Sequence, residues 1–290
     1  MRPDLTDVQN VKAITKARSL PPSKRLGQHF LVDAKIRDAI IAAARIRSDD
    51  VVLEIGPGLG VLTQKMIKKT NKLIVVEQDK KLIPYLRETF GPSISVIQSD
   101  ILALSNNQIA DYSKSKSNVS DGSYRIVSNI PYNITGAIIK KFVSNTGPKP
   151  KDMLILVQKE VAERVCAKPG KLSLLGLSVQ IFAEPKIMFS VLRESFWPVP
   201  KVDSCLLKIG SISEDTRYRI RDFDHFWRII RIGFSAPRKQ LQNNLSSGLF
   251  LNRKQVSMAM DLAGISEKSR AQELSITHWI RLSDALHSTT

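Results

Sequence analysis

Residues 51–55, Val-Val-Leu-Glu-Ile, form an apolar run that flows straight into Gly56-Pro-Gly-Leu-Gly60. Such a run, ended by glycines, fits a strand buried on both faces, which is the habit of parallel sheets rather than of sheets with one wet side. The glycines let the backbone turn sharply and approach a ligand, and the helix expected after them, through Lys69, offers free amides. A second run, Leu73-Ile-Val-Val76, ends on Glu77, about 20 residues on, where an acid accepts both hydroxyl hydrogens of a ribose. The glycine spacing is one residue shorter than the dinucleotide fingerprint, which weighs against a dehydrogenase. Glu54, just before the glycines, and Asp100, after a third run at 94–97, bring two more carboxylates to the same crevice, with Asp100 placed to accept from an adenine amine.

The alternation continues with strands expected at 124–128 and 153–158. Helices are expected from the Asp33 N-cap onward, at 80–89 and at 135–144. Strand–helix alternation with short links predicts a parallel sheet covered on both faces. Runs at 187–191 and 205–209, either side of Phe196-Trp-Pro-Val-Pro-Lys-Val-Asp203, predict an antiparallel edge. Beyond Gly210 only helical periodicity is visible, at 223–234, 237–245, 254–262 and 275–286. The expected organisation is a flexible basic arm (1–24), an α/β domain (25–211) and a small all-α C-terminal domain (212–290), with the boundary near 211–216. The Ser- and Lys-rich stretch 112–123 reads as a solvated loop.

Charge narrows the partner. The 290 residues carry a formal net charge of +17, which points to a polyanion, either nucleic acid or an anionic membrane surface. No apolar run reaches the ~20 residues of a membrane span, and the amino terminus lacks a secretory core. Cys166 and Cys205 form no paired motif, and His29, His225, His278 and His287 show no ligand spacing, so no metal is expected and a reducing cytoplasm fits.

Asn129-Ile-Pro-Tyr132 follows the strand at 124–128, at the end of a parallel strand where ligands bind. Taken alone it is also an ordinary turn. Its residues nevertheless suit a planar base carrying an exocyclic amine. The Asn oxygen and a nearby carbonyl accept the two amine hydrogens, Pro131 fixes the backbone and removes a competing N–H, and Tyr132 offers a stacking face.

Seven motifs occur in the order of one family: Arg25-Leu-Gly-Gln-His-Phe-Leu31, Glu54-Ile-Gly-Pro-Gly-Leu-Gly60, Glu77, Asp100, Asn129-Ile-Pro-Tyr132, Gln158-Lys-Glu-Val-Ala-Glu-Arg164 and Phe196-Trp-Pro-Val-Pro-Lys-Val-Asp-Ser204. In these the chain resembles the rRNA adenine dimethyltransferases, and most of all their bacterial small-subunit branch. The resemblance spans about residues 24–245. It implies a Rossmann-like class I methyltransferase sheet, S-adenosylmethionine as methyl donor, and a helical domain that grips rRNA. It further implies that His29 and Leu31 flank the cofactor, Gly56 approaches it, Glu77 holds its ribose and Asp100 its adenine. Asn129 would stand where donor and target amine meet, and Phe196 would join Tyr132 in sandwiching the base, although Phe196 also reads as a core aromatic beside Trp197. The expected reaction is dimethylation of two adjacent adenosines near the 3′ end of small-subunit rRNA, by a cytoplasmic monomer acting on the assembling small subunit with no membrane partner.

Alternatives remain at this level: a large-subunit adenine methyltransferase of the macrolide-resistance type, a DNA adenine methyltransferase, or a binding factor that keeps the fold without catalysis. Two departures from the family pattern stand out. Lys168-Pro-Gly-Lys-Leu-Ser-Leu-Leu-Gly176 replaces the usual Tyr-Gly-Arg-Leu-Ser and is expected to alter a wall of the substrate site. Ala236-Pro-Arg-Lys239 replaces Gln-Arg-Arg-Lys, removing a charge and adding a proline expected to start a helix.

Overall fold

The computed structural model describes residues 3–116, 122–213 and 220–287. Its contacts divide the chain into two compact units, Met1–Ala162 with Glu184–Ile212, and Glu163–Ala183 with Ser213–Thr290. In chain order the first unit holds α1 (Val8–Ala17), β1 (Phe30–Leu31), α2 (Ala34–Ala44), β2 (Val52–Ile55), α3 (Thr63–Met66) and β3 (Leu73–Glu77). It continues with α4 (Leu82–Phe90), β4 (Ser95–Gln98), α5 (Asn106–Lys116), β5 (Arg125–Asn129), α6 (Thr135–Val143) and β6 (Met153–Gln158). The chain passes into the second unit within α7 (Lys159–Val165), followed by α8 (Leu174–Gln180), and returns for β7 (Glu184–Val191), β8 (Phe196–Trp197) and β9 (Ser204–Gly210).

The sheet has seven strands in the order β4-β3-β2-β5-β6-β9-β7. β2 to β6 are mutually parallel, whereas β9 runs antiparallel to both β6 and β7, so the expected antiparallel edge is present. Strand order reverses between β2 and β5, which makes that pair the topological switch point. β2, β3 and five of the six residues of β6 are buried, as their unbroken apolar runs require. At the opposite, entry end of the strands, Arg125 grips Asp152 with two hydrogen bonds of 2.8 and 2.7 Å and Asp50 with one of 3.0 Å. This bidentate pairing holds the starts of β5 and β6 and the approach to β2 in register, and it pushes the guanidinium pKa up.

The amino terminus departs from expectation. Residues 1–24 were expected to be a flexible arm, but α1 is capped by the Asp7 side chain, and Leu5, Val11 and Leu20 are buried in the core of the first unit. Apolar residues are sparse there, so the segment reads as polar although its few large side chains all face inward. Residues 112–116 belong to α5, with Ser113 buried, rather than to a solvated loop; residues 117–121 of that stretch lie outside the described residues. The helix after the glycines is a single turn, α3, that begins only at Thr63.

The second unit contains α9 (Phe223–Gly233), α10 (Leu241–Leu249), α11 (Arg253–Leu262) and α12 (Ile276–His287). Phe226, Ile229 and Ile230 of α9 are buried, as is Trp279 of α12, and a Cβ on Gly233 would lie 2.5 Å from the Trp279 ring. Residues 163–183, expected in the α/β domain, pack here instead. Gly170 and Leu172 N–H groups donate to the Gln272 carbonyl at 2.9 and 3.2 Å, and the Phe182 and Phe223 rings lie 5.9 Å apart. Pro237 starts no helix. The chain turns through 234–239, held by the Asn244 amide donating to Gly233 and Ala236 carbonyls at 2.7 and 3.1 Å, and α10 begins four residues later. Arg221, Arg228, Arg231, Arg238 and Lys239 are exposed; Arg217, Arg219 and residues 214–216 of the boundary expected near 211–216 lie outside the described residues.

If the amino-terminal segment belongs to the core, Leu5→Ala lowers unfolding free energy by ~2–3 kcal/mol in urea denaturation, as for other buried leucines. A loss below ~0.5 kcal/mol, the range of surface substitutions, would detach the segment from the core.

Candidate active site

The β2–β5 ladder stops early. Only Val52 with Arg125 and Leu53 with Ile126 are in register, although β2 runs to Ile55 and β5 to Asn129. Beyond that point the strands part, and the buried Ser128 hydroxyl bridges them. It donates to the Ile55 carbonyl at 2.5 Å and accepts from the Ile55 N–H at 3.3 Å. The parting opens a cavity of about 260 Å³ lined from both strand ends, by Glu54, Gly56 and Gly58 on one side and Asn129, Ile130, Pro131 and Tyr132 on the other. Glu77, Asp100, His29 and Leu31 complete its wall, so the structure brings together every residue expected at the cofactor. Phe196 does not line it.

The glycine turn is shaped by close approach. Gly56, Gly58 and Gly60 all have positive φ, of 64°, 58° and 89°. A Cβ on Gly60 would sit 2.4 Å from Phe90, and one on Gly58 would sit 3.0 Å from Phe30. The amides of this turn are less available than the motif implies. Gly56 donates to the Val76 carbonyl and Gly60 to that of Pro57, each at 2.8 Å. With α3 only one turn long, ligand recognition here falls to side chains more than to a helix amino terminus.

Two of those side chains are buried acids. Glu54 accepts from the Thr63 hydroxyl at 2.6 Å, and burial pushes its pKa up to about 8 against that hydrogen bond, with the Glu77 charge adding to the rise. Glu77 accepts from the Asp79 N–H at 2.8 Å; burial raises its pKa to about 7 despite backbone donors from Asp79 and Gly58. Both folded values lie above the ordinary 4.5, so the stability these groups add is complete below 4.5. It declines as pH rises and is gone above about 7 for Glu77 and about 8 for Glu54. At higher pH the fold then carries two buried carboxylates, a cost that marks groups retained for function. Asp100 Oδ1 accepts from the Leu102 N–H at 2.9 Å, a turn cap, while its carboxylate lines the cavity.

On the other side, the Asn129 amide nitrogen donates to the His29 carbonyl at 3.1 Å. A carbonyl only accepts, so the amide orientation is fixed and Oδ1 is the end presented away from β1. The His29 ring donates from Nδ1 to the Pro198 carbonyl at 2.6 Å and stacks on Tyr132, with centroids 5.6 Å apart and planes 23° from parallel. The Tyr132 hydroxyl shares a 2.6 Å hydrogen bond with Ser204 at the start of β9, and burial raises its pKa to about 12. Phe196 stands edge-on to Tyr132, at 6.4 Å and 74°, and is 1% exposed. The two rings thus stand edge to face, and the pairing of β8 with β1 holds Phe196 in the core.

Ser128, Thr63 and Ser204 were missed as site residues by sequence reasoning. Ser204 stood inside a quoted motif, but nothing in the one-dimensional pattern joins it to Tyr132. Within the second unit, Ser173 of the 168–176 segment caps α8, accepting from the Gly176 N–H at 3.1 Å. Among the described residues no cluster of metal-ligating side chains and no helix long and apolar enough to cross a membrane is found.

Residues 22–288 match the sequence model of the family described as ribosomal RNA adenine dimethylase. The chain is 37% identical over 273 residues to Ribosomal RNA small subunit methyltransferase A of Dehalococcoides mccartyi (strain CBDB1), covering 93% of this chain and 90% of the relative. It is 35% identical over 292 residues to the protein of the same name from Shouchella clausii (strain KSM-K16), covering 99% and 97%. Among solved structures, a dimethyladenosine transferase from Plasmodium falciparum superposes with a TM-score of 0.67 at 25% identity, covering 86% of this chain and 94% of that one. The 23S rRNA methyltransferase ErmE superposes with a TM-score of 0.64, also at 25% identity, covering 89% and 99%. With a class I methyltransferase sheet, the Asn129–Tyr132 turn at its switch point and these relatives along nearly its whole length, the chain belongs to the ribosomal RNA adenine dimethylase family and is an rRNA adenine dimethyltransferase.

Proposed function

We propose that this protein uses S-adenosylmethionine to dimethylate two adjacent adenosines near the 3′ end of small-subunit rRNA, acting as a cytoplasmic monomer during subunit assembly. The observation that carries the reading is Asn129. Its oxygen is turned away from His29 by the hydrogen bond to that residue's carbonyl, beside Tyr132 and in one cavity with Glu77 and Asp100. The relatives at 37% and 35% identity carry the small-subunit name, which favours that substrate over the large-subunit rRNA of the ErmE title.

The cavity fits an adenosyl amino acid. It offers a buried acid for two ribose hydroxyls, a second acid for an adenine amine, and a glycine turn whose side-chain space is already taken by Phe30 and Phe90. When bound, S-adenosylmethionine supplies an electrophilic sulfonium methyl. Glu77 holds the ribose, Asp100 the adenine, and His29 and Leu31 close the wall. Gly56, with no Cβ, lets the turn lie against the ligand.

The target amine is a weak nucleophile because its lone pair is delocalised into the ring. Asn129 Oδ1 accepts one of its hydrogens. The Pro131 carbonyl already accepts from the Thr135 hydroxyl at 3.2 Å and the Ile134 N–H at 3.4 Å, so we assign the second hydrogen to the Ile130 carbonyl. Holding both hydrogens aims the nitrogen lone pair at the methyl, and positioning supplies most of the rate. His29 covers one face of Tyr132, and the base stacks on the opposite face. Phe196 buttresses the Tyr132 edge instead of forming the second wall of a sandwich. The product ammonium loses its proton to water. The exposed arginines of the helical unit neutralise rRNA phosphates, a grip that weakens with salt.

Purified protein with labelled S-adenosylmethionine is expected to place label on unmethylated small subunits as dimethyladenosine, and none on large subunits or duplex DNA; label on either of the latter overturns the substrate assignment. Asn129→Ala should cut turnover by ~10²-fold or more while cofactor binding stays within a few-fold, as for loss of a group that acts on the transition state. Wild-type turnover in this variant would remove Asn129 from the mechanism. Ribose hydroxyls bind the ionised form of Glu77, so cofactor affinity should rise with pH, tightening about tenfold between pH 6 and 8 as the competent fraction grows. Calorimetry should show this gain in the wild type and its loss in Glu77→Gln; a flat wild-type profile would rule the ribose contact out.

A further inference from the structure

The segment 192–204 is fastened on both sides of residues 199–202, at 193–198 and at 203–204. The Arg193 N–H donates to Asp203 Oδ1 at 3.1 Å, the Ser195 carbonyl accepts from the Val32 N–H at 2.8 Å, and Phe196 and Trp197 pair with β1. The Pro198 carbonyl accepts from the His29 ring at 2.6 Å, the Asp203 carbonyl accepts from the Lys159 N–H at 3.0 Å, and Ser204 holds Tyr132. Between these fastenings Val199 stands 54% exposed, flanked by two prolines, with Val202 at 38% and Leu192 at 65%. Lys201, also exposed, places a positive charge between the valines. Apolar side chains turned to solvent on a segment held this closely are not a frayed loop, and they adjoin Pro198, whose carbonyl holds the ring that stacks on Tyr132.

The reaction sets a requirement that the cavity alone does not meet. An adenine reaches Asn129 only after leaving its stack, and proteins that hold a base out commonly insert an apolar side chain into the gap. We propose that Val199 is this wedge: it enters the rRNA stack vacated by the target adenine and keeps the base everted onto Tyr132, with Lys201 beside the adjoining backbone phosphate. The two prolines restrict the backbone on either side of Val199, and His29 couples the wedge to the aromatic platform, so that wedge and platform move as one piece. The occupant is RNA rather than a protein because Lys201 sets a positive charge among the exposed valines and because Pro198, next to Val199, holds the His29 ring that stacks on Tyr132. This inference rests on the proposed function and names the residue that delivers its substrate.

The test uses full-length protein and an unmethylated small-subunit rRNA fragment carrying 2-aminopurine at the target position, whose fluorescence rises when the base unstacks, alongside methyl transfer to unmethylated small subunits. Wild-type protein should raise the fluorescence. Val199→Gly and the near-isosteric Val199→Thr should bind the fragment with affinity within about threefold, yet lose most of the fluorescence rise and ~10–100-fold in turnover, with cofactor affinity unchanged, since a few kcal/mol of unstacking goes uncompensated. Val199→Leu should retain both signals. The Thr variant keeps the side-chain shape, so a defect shared by Gly and Thr but not Leu reports the apolar contact rather than a collapsed loop. Full eversion in both variants, or a loss of affinity with eversion intact, would overturn the wedge and recast the ridge as a docking surface for RNA backbone or a ribosomal protein. Failure of the proposed function itself would be distinct: the wild-type protein would not methylate small subunits at all.

Discussion

The site depends on two strands that stop pairing too soon. In an open parallel sheet the central pair separates where one chain direction of winding gives way to the other, and the freed backbone groups have to be satisfied. Here a single hydroxyl does so. Ser128 both donates to and accepts from Ile55, leaving the ends of β2 and β5 apart but not unsatisfied. Everything that handles a ligand is hung from those ends: the glycine turn and Glu54 on one, Asn129 to Tyr132 on the other. The Arg125 grip on Asp50 and Asp152 closes the opposite end of the same strands, so the sheet is fastened where it enters and open where it acts.

The two sides of the crevice are built for different tasks, and their polar chemistry shows it. The side formed by the glycine turn buries two carboxylic acids whose pKa values burial has raised to about 8 and about 7. Each already accepts a hydrogen bond, Glu54 from the Thr63 hydroxyl and Glu77 from the Asp79 N–H, so burial rather than lack of a partner raises them. The side formed by Asn129 to Tyr132 has its donors already committed: the Asn129 amide to His29, the His29 ring to Pro198 and the Tyr132 hydroxyl to Ser204. That side is arranged beforehand, which suits a reaction whose difficulty is aiming one nitrogen lone pair.

Much of this was legible in the chain. The parallel sheet and its antiparallel edge follow from apolar runs, because buried strands advertise themselves by unbroken hydrophobicity, and the residues that end those runs, Gly56, Glu77, Asp100 and Asn129, line one cavity. The amino-terminal segment hid because Leu5, Val11 and Leu20 are too widely spaced to register as a hydrophobic pattern, although each is buried. Residues 163–183 were assigned by sequence adjacency, yet hydrogen bonds to Gln272, a hundred residues away in round numbers, carry them into the helical unit. Pro237 met the local rule for a helix start and lost to the Asn244 amide, which fastens a turn there instead.

By itself the sequence determined which chemistry is present: a methyltransferase-type sheet, three acids at strand ends, and an amide, a proline and a ring after one strand, since residue type and order fix what each strand end carries. Only the tertiary structure decided how those groups face one another. The fastening of the Asn129 amide to the His29 carbonyl, the stacking of His29 on Tyr132 and the edge-on placing of Phe196 arise from contacts between segments distant in the chain. Those contacts are set by the pairing of β1 with β8 and by the register of the sheet, neither of which any local pattern encodes.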